Sequence, residues 1–222
     1  MSSTSLTDRV EALLADAATA DGGAPVLPIV AAGDPVLRRP ADPFDGQLSD
    51  ALLARLIEAM RVTMHAAPGV GLAAPQIGLP LRLAVIEDAA NVPEEVRAAR
   101  GRVPQPFRVV INPSYEDASG RHVAFYEGCL SVPGYQAVVA RHERVRLRAL
   151  DERGRAVDEE VAGWPARIVQ HETDHLDGTL YLDRAEPRSL SSTQSPAAVE
   201  RWAQLTPQLA AQELGFSLPE SD

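Results

Sequence analysis

The sequence holds one cysteine, Cys129, among 222 residues, and so cannot close an internal disulfide; nothing in it asks for an oxidising compartment. No stretch approaches the ~20 consecutive apolar residues that a membrane-spanning helix needs. The first 24 residues lack the apolar centre of a secretory signal, and Asp8, Glu11, Asp16 and Asp21 are out of place in an Arg-rich transit peptide. The expected location is the cytoplasm, with no membrane attachment. Positive charge is in deficit too: 21 Lys plus Arg stand against 31 Asp plus Glu, a formal net charge of −10. A surface of that sign repels phosphate backbones and anionic lipid, which argues against direct contact with nucleic acid. No internal repeat is present.

What the chain does hold is enough apolar material, 45% of its residues, to bury one sizeable core. We expect one domain over 26–186. An N-terminal helical extension over 1–25 precedes it, and a partly helical C-terminal extension over 187–222, of a composition that suits partial disorder, follows. Ser5-Leu-Thr-Asp8 reads as a capping box, and Leu6, Val10, Leu13, Leu14 and Ala17 recur at helical spacing, so a helix is expected over 6–18, ended by Gly22 and Gly23. Pro28, Pro35, Pro40 and Pro43 exclude a regular helix from the next stretch. Ser49 or Asp50 then caps a helix whose apolar face is Leu52, Leu53, Leu56, Ile57, Met60 and Met64, stopped by Pro68-Gly69. The methionines belong to that buried stripe.

Strand-like runs follow at 81–87, 108–112, 122–126 and 137–140. Val145, Leu147 and Ala149 alternate with Arg144, Arg146 and Arg148, which describes a strand wet on one side, and 156–161 can pair back on it across the turn at 151–154. Gly163 and Pro165 open a helix that runs to Leu176 and closes at Gly178. The segments 88–106 and 187–196 read as exposed and mobile. A last helix from Ser195-Pro196, interrupted at Pro207, is expected to pack Val199, Trp202 and Leu205 on the body.

Within the helix of 163–176, His171-Glu-Thr-Asp-His175 sets two imidazoles one turn apart on one face, with Glu172 beside them. Two imidazoles so placed can share a metal ion, and a catalytic site wants a third protein ligand plus an open position for water. The metzincin pattern is not met: Gly178 fits, but Tyr181 stands where the third histidine belongs, and no histidine follows His175. Glu200 as third ligand would make a zinc endopeptidase, and an ion that only staples the fold would make a structural module. Cys129 fits better. A lone cysteine is ordinarily a small buried hydrophobe, yet this one lies in Glu127-Gly-Cys-Leu-Ser131 between strand-like runs, and a thiolate binds Fe(II), Zn(II), Co(II) or Ni(II) well.

Three separated motifs now resemble those of the peptide deformylases: Gly69-Val-Gly-Leu-Ala-Ala-Pro-Gln76, Glu127-Gly-Cys-Leu-Ser131 and Gln170-His-Glu-Thr-Asp-His175, in that family's order and spacing. The likeness runs from about Pro28 to Arg184. It implies an α+β fold of antiparallel strands packed around the helix that carries the His-Glu-x-x-His motif. It also implies one divalent ion, Fe(II) foremost, on Cys129, His171 and His175, and a hydrolase that removes the formyl group from N-formyl-methionyl chain ends during protein biosynthesis. Glu172 would move the proton, and the side-chain amide of Gln76 and the backbone N–H of Leu130 would bind the oxyanion. The substrate would lie extended beside Gly69, Val70 and Gly71, with Val70, Leu130, Trp164 and Ile168 around its methionine. Two departures stand out. Gln136 replaces an Arg common in bacterial members, which with Gly134-Tyr135 and Gly163-Trp164 leans toward the organellar-like subgroup. Residues 196–222 carry one Arg against four carboxylates, so a basic tail for docking on the ribosome is missing.

Overall fold

The computed structural model describes residues 5–19, 23–202 and 205–219. Helix α1 (Leu6–Asp16) is capped by Ser5, whose hydroxyl accepts the Asp8 N–H while the Asp8 carboxylate accepts the Ser5 N–H. A short ribbon, β1 (Ala18–Thr19) with β2 (Pro25–Val26), leads through irregular chain to α2 (Asp50–Ala66), capped by Ser49. There follow β3 (Gly71–Ala73), β4 (Leu83–Asp88), α3 (Glu94–Arg100), β5 (Gln105–Asp117), β6 (His122–Gly128), β7 (Tyr135–His142), β8 (Arg144–Leu150) and β9 (Ala156–Ala162). Helix α4 (Gly163–Leu176), β10 (Ser191–Ser192), α5 (Pro196–Trp202) and α6 (Gln208–Leu214) complete the chain. No described helix is long and apolar enough to cross a membrane.

One antiparallel sheet has the order β3-β4-β5-β8-β9, the other β10-β7-β6. Strand β4 shows why the larger sheet sits where it does. Its run Leu83-Ala-Val-Ile86 is apolar without alternation because both faces are covered: Leu83 and Val85 join Leu56, Met60 and Met64 of α2, while Ala84 and Ile86 join Ile168, Val169 and Leu176 of α4. The sheet is thus a wall between the two helices, and α4 is held inside the fold. Strand β8 alternates as its sequence predicts, with Val145, Leu147 and Ala149 buried and its arginines facing solvent, where Arg146 pairs with Asp158 of β9 and Arg148 with Glu116 of β5.

Several expectations change. Helix α1 stops at Asp16, since Ala17 is already extended; Gly22 lies outside the described residues. Strand β5 continues past Pro113 because the register shifts between Ile111 and Ser114, so the missing proline N–H costs no ladder bond. The 88–106 segment is not a mobile insertion. Asp88 is 4% exposed and takes a bidentate pair from Arg102, which clamps the segment's two ends together around α3. Nor is 187–196 loose: the buried Ser189 hydroxyl accepts the Val138 N–H at 2.7 Å, and β10, beyond the domain end expected at 186, pairs with β7. Of the three residues expected to pack on the body, Val199 and Leu205 are 42% and 40% exposed, while Trp202 is half-buried.

Candidate metal centre

Helix α4 begins at Gly163, φ 65°, where a Cβ would stand 2.5 Å from the Gly101 carbonyl oxygen, and the next residue, Trp164, donates its N–H to that same carbonyl. From this start the helix buries nearly every residue, and it ends at Asp177 before Gly178, φ 75°. His171 and His175 fall one turn apart with ring centroids 5.0 Å from each other. Cys129 follows directly on β6, and its Sγ lies 3.2 Å from His175 Nε2. The sulfur and one nitrogen of each imidazole all sit within 4.8 Å of one another, the one such cluster of Cys, His and acidic groups among the described residues.

The donor set fits a divalent transition ion. His171 has its Nδ1 3.0 Å from Glu127 Oε2, which leaves Nε2 for a metal. Burial holds His175 neutral, its pKa pushed well below the ordinary histidine value, as a ligand nitrogen requires. Burial also opposes charge on His171, yet the neighbouring Cys129 and Glu127 overcome it and lift its pKa to about 10, which marks the spot as one that attracts a cation. Glu127 is itself desolvated, but the Arg141 and Arg167 guanidinium groups keep its carboxylate well below the usual range. Arg141 reaches on to Asp174 at 2.7 Å, and Asp174 also accepts from Arg184 and Tyr115. His171 therefore hangs on a buried, fully paired charge network.

Glu172 is 4% exposed, and its Oε2 has no partner among the described residues. Desolvation pushes its pKa up to about 7, with His171 and Arg141 opposing. Such a carboxyl can take and return a proton near neutrality. Room for it exists because residue 71 is glycine: a Cβ there would lie 2.6 Å from Glu172 Cδ. Gln76 accepts the Ala73 N–H on its Oε1, which turns its Nε2 toward Ser131 Oγ, 3.3 Å, and Cys129 Sγ, 3.6 Å. The Leu130 N–H makes no hydrogen bond to described residues.

A cleft of about 760 Å³ opens on these groups. Gly69, Val70, Gly71, Leu130, Trp164 and Ile168 all line it, beside Gln76, Cys129, His171 and Glu172. His175, 1% exposed, does not line the cleft. Tyr181 is no ligand; its ring stacks on His171 at 6.2 Å. Glu200 is exposed on α5 and takes no part in the cluster. Gln136 does not reach the cleft but sits in β7 opposite Ser191, and Thr193, just past β10, lines that rim. Reading the sequence missed the support by Glu127, Arg141 and Asp174, although two of these lie inside the recognised motifs, and it missed Arg100 and Thr193 altogether. The one available signal was Arg141, a charge following the buried run Ala137-Val-Val139.

A family model described as polypeptide deformylase matches residues 26–191. Peptide deformylase 3 of Streptomyces avermitilis is 71% identical over 215 residues, which cover 97% of this chain and 92% of that protein. Peptide deformylase 1A, chloroplastic, of Solanum lycopersicum is 44% identical over 173 residues, 75% of this chain and 62% of that protein. Among solved structures, the Met-Ala-Ser-bound class I type b peptide deformylase of Acinetobacter baumannii matches with a TM-score of 0.64 at 36% identity, covering 72% of this chain and 99% of that one.

Proposed function

The chain belongs to the polypeptide deformylase family, and from that membership we propose how its own residues remove the formyl group from new polypeptides. The cluster of Cys129, His171 and His175 beside an unpartnered Glu172 carries the reading. These three residues would hold one divalent ion, Fe(II) by family resemblance, with Zn(II), Ni(II) and Co(II) suiting the same donors. When bound, the ion lowers the pKa of water and polarises the formyl carbonyl. Glu172 takes the proton of the attacking water on its free carboxylate oxygen and returns it to the departing amine nitrogen. Gln76 Nε2 and the Leu130 N–H donate to the carbonyl oxygen as it gains charge. Both are neutral and pre-aimed, and such a donor is worth about 2.7–4 kcal/mol of barrier.

The peptide lies extended against Gly69, Val70 and Gly71, and its methionine enters between Val70, Leu130, Trp164 and Ile168. The Acinetobacter relative binds Met-Ala-Ser, a peptide of the expected product type. The catalytic unit runs from about residue 26 through β10, with the segments before and after it as extensions, and it works in the cytoplasm on formyl-Met nascent chains.

Anaerobically purified protein, analysed for metal and assayed for formate from formyl-Met-Ala-Ser, tests this. About one ion per chain and metal-dependent formate release are expected. Cys129→Ser lowers metal content, whereas Glu172→Ala keeps the ion and loses roughly 10²–10⁴ in kcat. No formate under Fe(II), Co(II), Ni(II) or Zn(II) loading would sink the reading.

A further inference from the structure

A second cavity of about 730 Å³ adjoins the cleft, and among the described residues Arg100 alone lines both. Its guanidinium carbon lies 5.0 Å from the centroid of Trp164, a wall of the cleft, and 5.8 Å from that of Phe125, a wall of the second cavity. The two rings meet edge to face at 6.0 Å. At the partition between the cavities the Arg100 guanidinium thus lies across two aromatic rings, which the paired Arg167 also approaches, at 5.2 Å from Phe125 and 5.7 Å from Trp164.

Other buried arginines here are paired: Arg102 with Asp88, Arg141 with Glu127 and Asp174, Arg167 with Glu127. Arg100 has no ion-pair partner among the described residues, and its Nε is buried without a hydrogen bond, as are Trp164 Nε1 and Tyr126 Oη nearby. A half-buried cation left unpaired is costly to keep for stability alone. Its place is nonetheless fixed, because α3 is clamped at its base by Asp88 and Arg102 and docked on α4 through Gly101 and Trp164.

We propose that Arg100 is the end stop of the pocket for the first side chain of the substrate, its bulk setting the length of side chain accepted. The proposal rests on the cleft being the methionine site. With Arg100 present, the pocket ends at the Arg100–Trp164 stack; without it, the pocket runs on into the second cavity.

The test compares kcat/KM for formyl-Met-Ala-Ser with that for a formyl peptide whose first side chain is unbranched and about four atoms longer, in metal-loaded wild type, Arg100→Ala and Arg100→Met. One methylene too many in a closed pocket is worth about 10-fold or more in discrimination, so wild type strongly disfavours the long substrate. Arg100→Ala raises the long-to-Met ratio by about 10-fold or more, and Arg100→Met, similar in reach, holds it near the wild-type value. An unchanged ratio in Arg100→Ala overturns the proposal whatever happens to the separate rates. So does an equal rise in both variants, which would assign selection to charge. Failure of wild type to release formate from the Met peptide would instead refute the function itself.

Discussion

Gly71 and Glu172 show how single positions divide the labour of the site. Glu172 needs a dry place to keep its pKa near 7, and the Gly71 backbone supplies it by passing where a side chain would collide with the carboxylate. Gly71→Ala should push Glu172 off its line to the substrate, lowering kcat by about 10-fold or more while metal content stays near one per chain. Unchanged turnover would show that the carboxylate has another place to go. The sequence could not decide this glycine, because turn formation and close approach both call for the same residue. The two histidines were legible, since a spacing of four on a helix places them by local geometry alone. Glu127 was not, because its bond to His171 is made across 44 positions of sequence.

At the level of elements, legibility followed burial pattern. Helix α4, buried almost all round, was legible from Gly163, Pro165 and Gly178 at its ends, whereas helix α2 and strand β8 each turn a periodic face to the core, and their residues could be assigned from that period. Segment 88–106 and strand β10 could not, because what orders them is an ion pair between distant ends in one case and two backbone pairings in the other. A similar long-range tie joins α2 to β4: Glu87 takes a bidentate pair from Arg61 and a contact from His65. The Arg61 hydrogen bond is the chief reason the Glu87 carboxyl titrates below its ordinary value. A depressed folded-state pKa gives stability that is present above the unfolded pKa and is lost as pH falls through the folded one. Glu87→Gln should therefore lower Tm at pH 7 and draw level with wild type only as pH falls through the depressed folded-state pKa. For a partly exposed pair the gap is about 0.2–1 kcal/mol. A Tm difference that persists undiminished into acid would assign the effect to packing and not to charge.

On the scale of the whole molecule, the division into a domain and two extensions understates how the chain is joined. The first helix carries acidic groups and reads as an appendage, yet Val10 is fully buried and Leu14 nearly so, in the same core as Leu56 and Met60 of α2. Its outer face is tied as well: Thr7 donates to the Gln47 carbonyl, and Arg9 reaches the Gly78 carbonyl at 2.8 Å, two residues beyond Gln76. Helix α1 is thus tied to the turn that follows Gln76. Leu14→Ala should then behave as a core truncation, costing about 2–5 kcal/mol, and at roughly 2–4 °C per kcal/mol for a chain of this size that is a fall in Tm of about 4–20 °C. Thermal unfolding of the metal-loaded protein measures it. A Tm within a degree of wild type would mean that α1 detaches without consequence, and that the catalytic fold is complete from residue 26 onward.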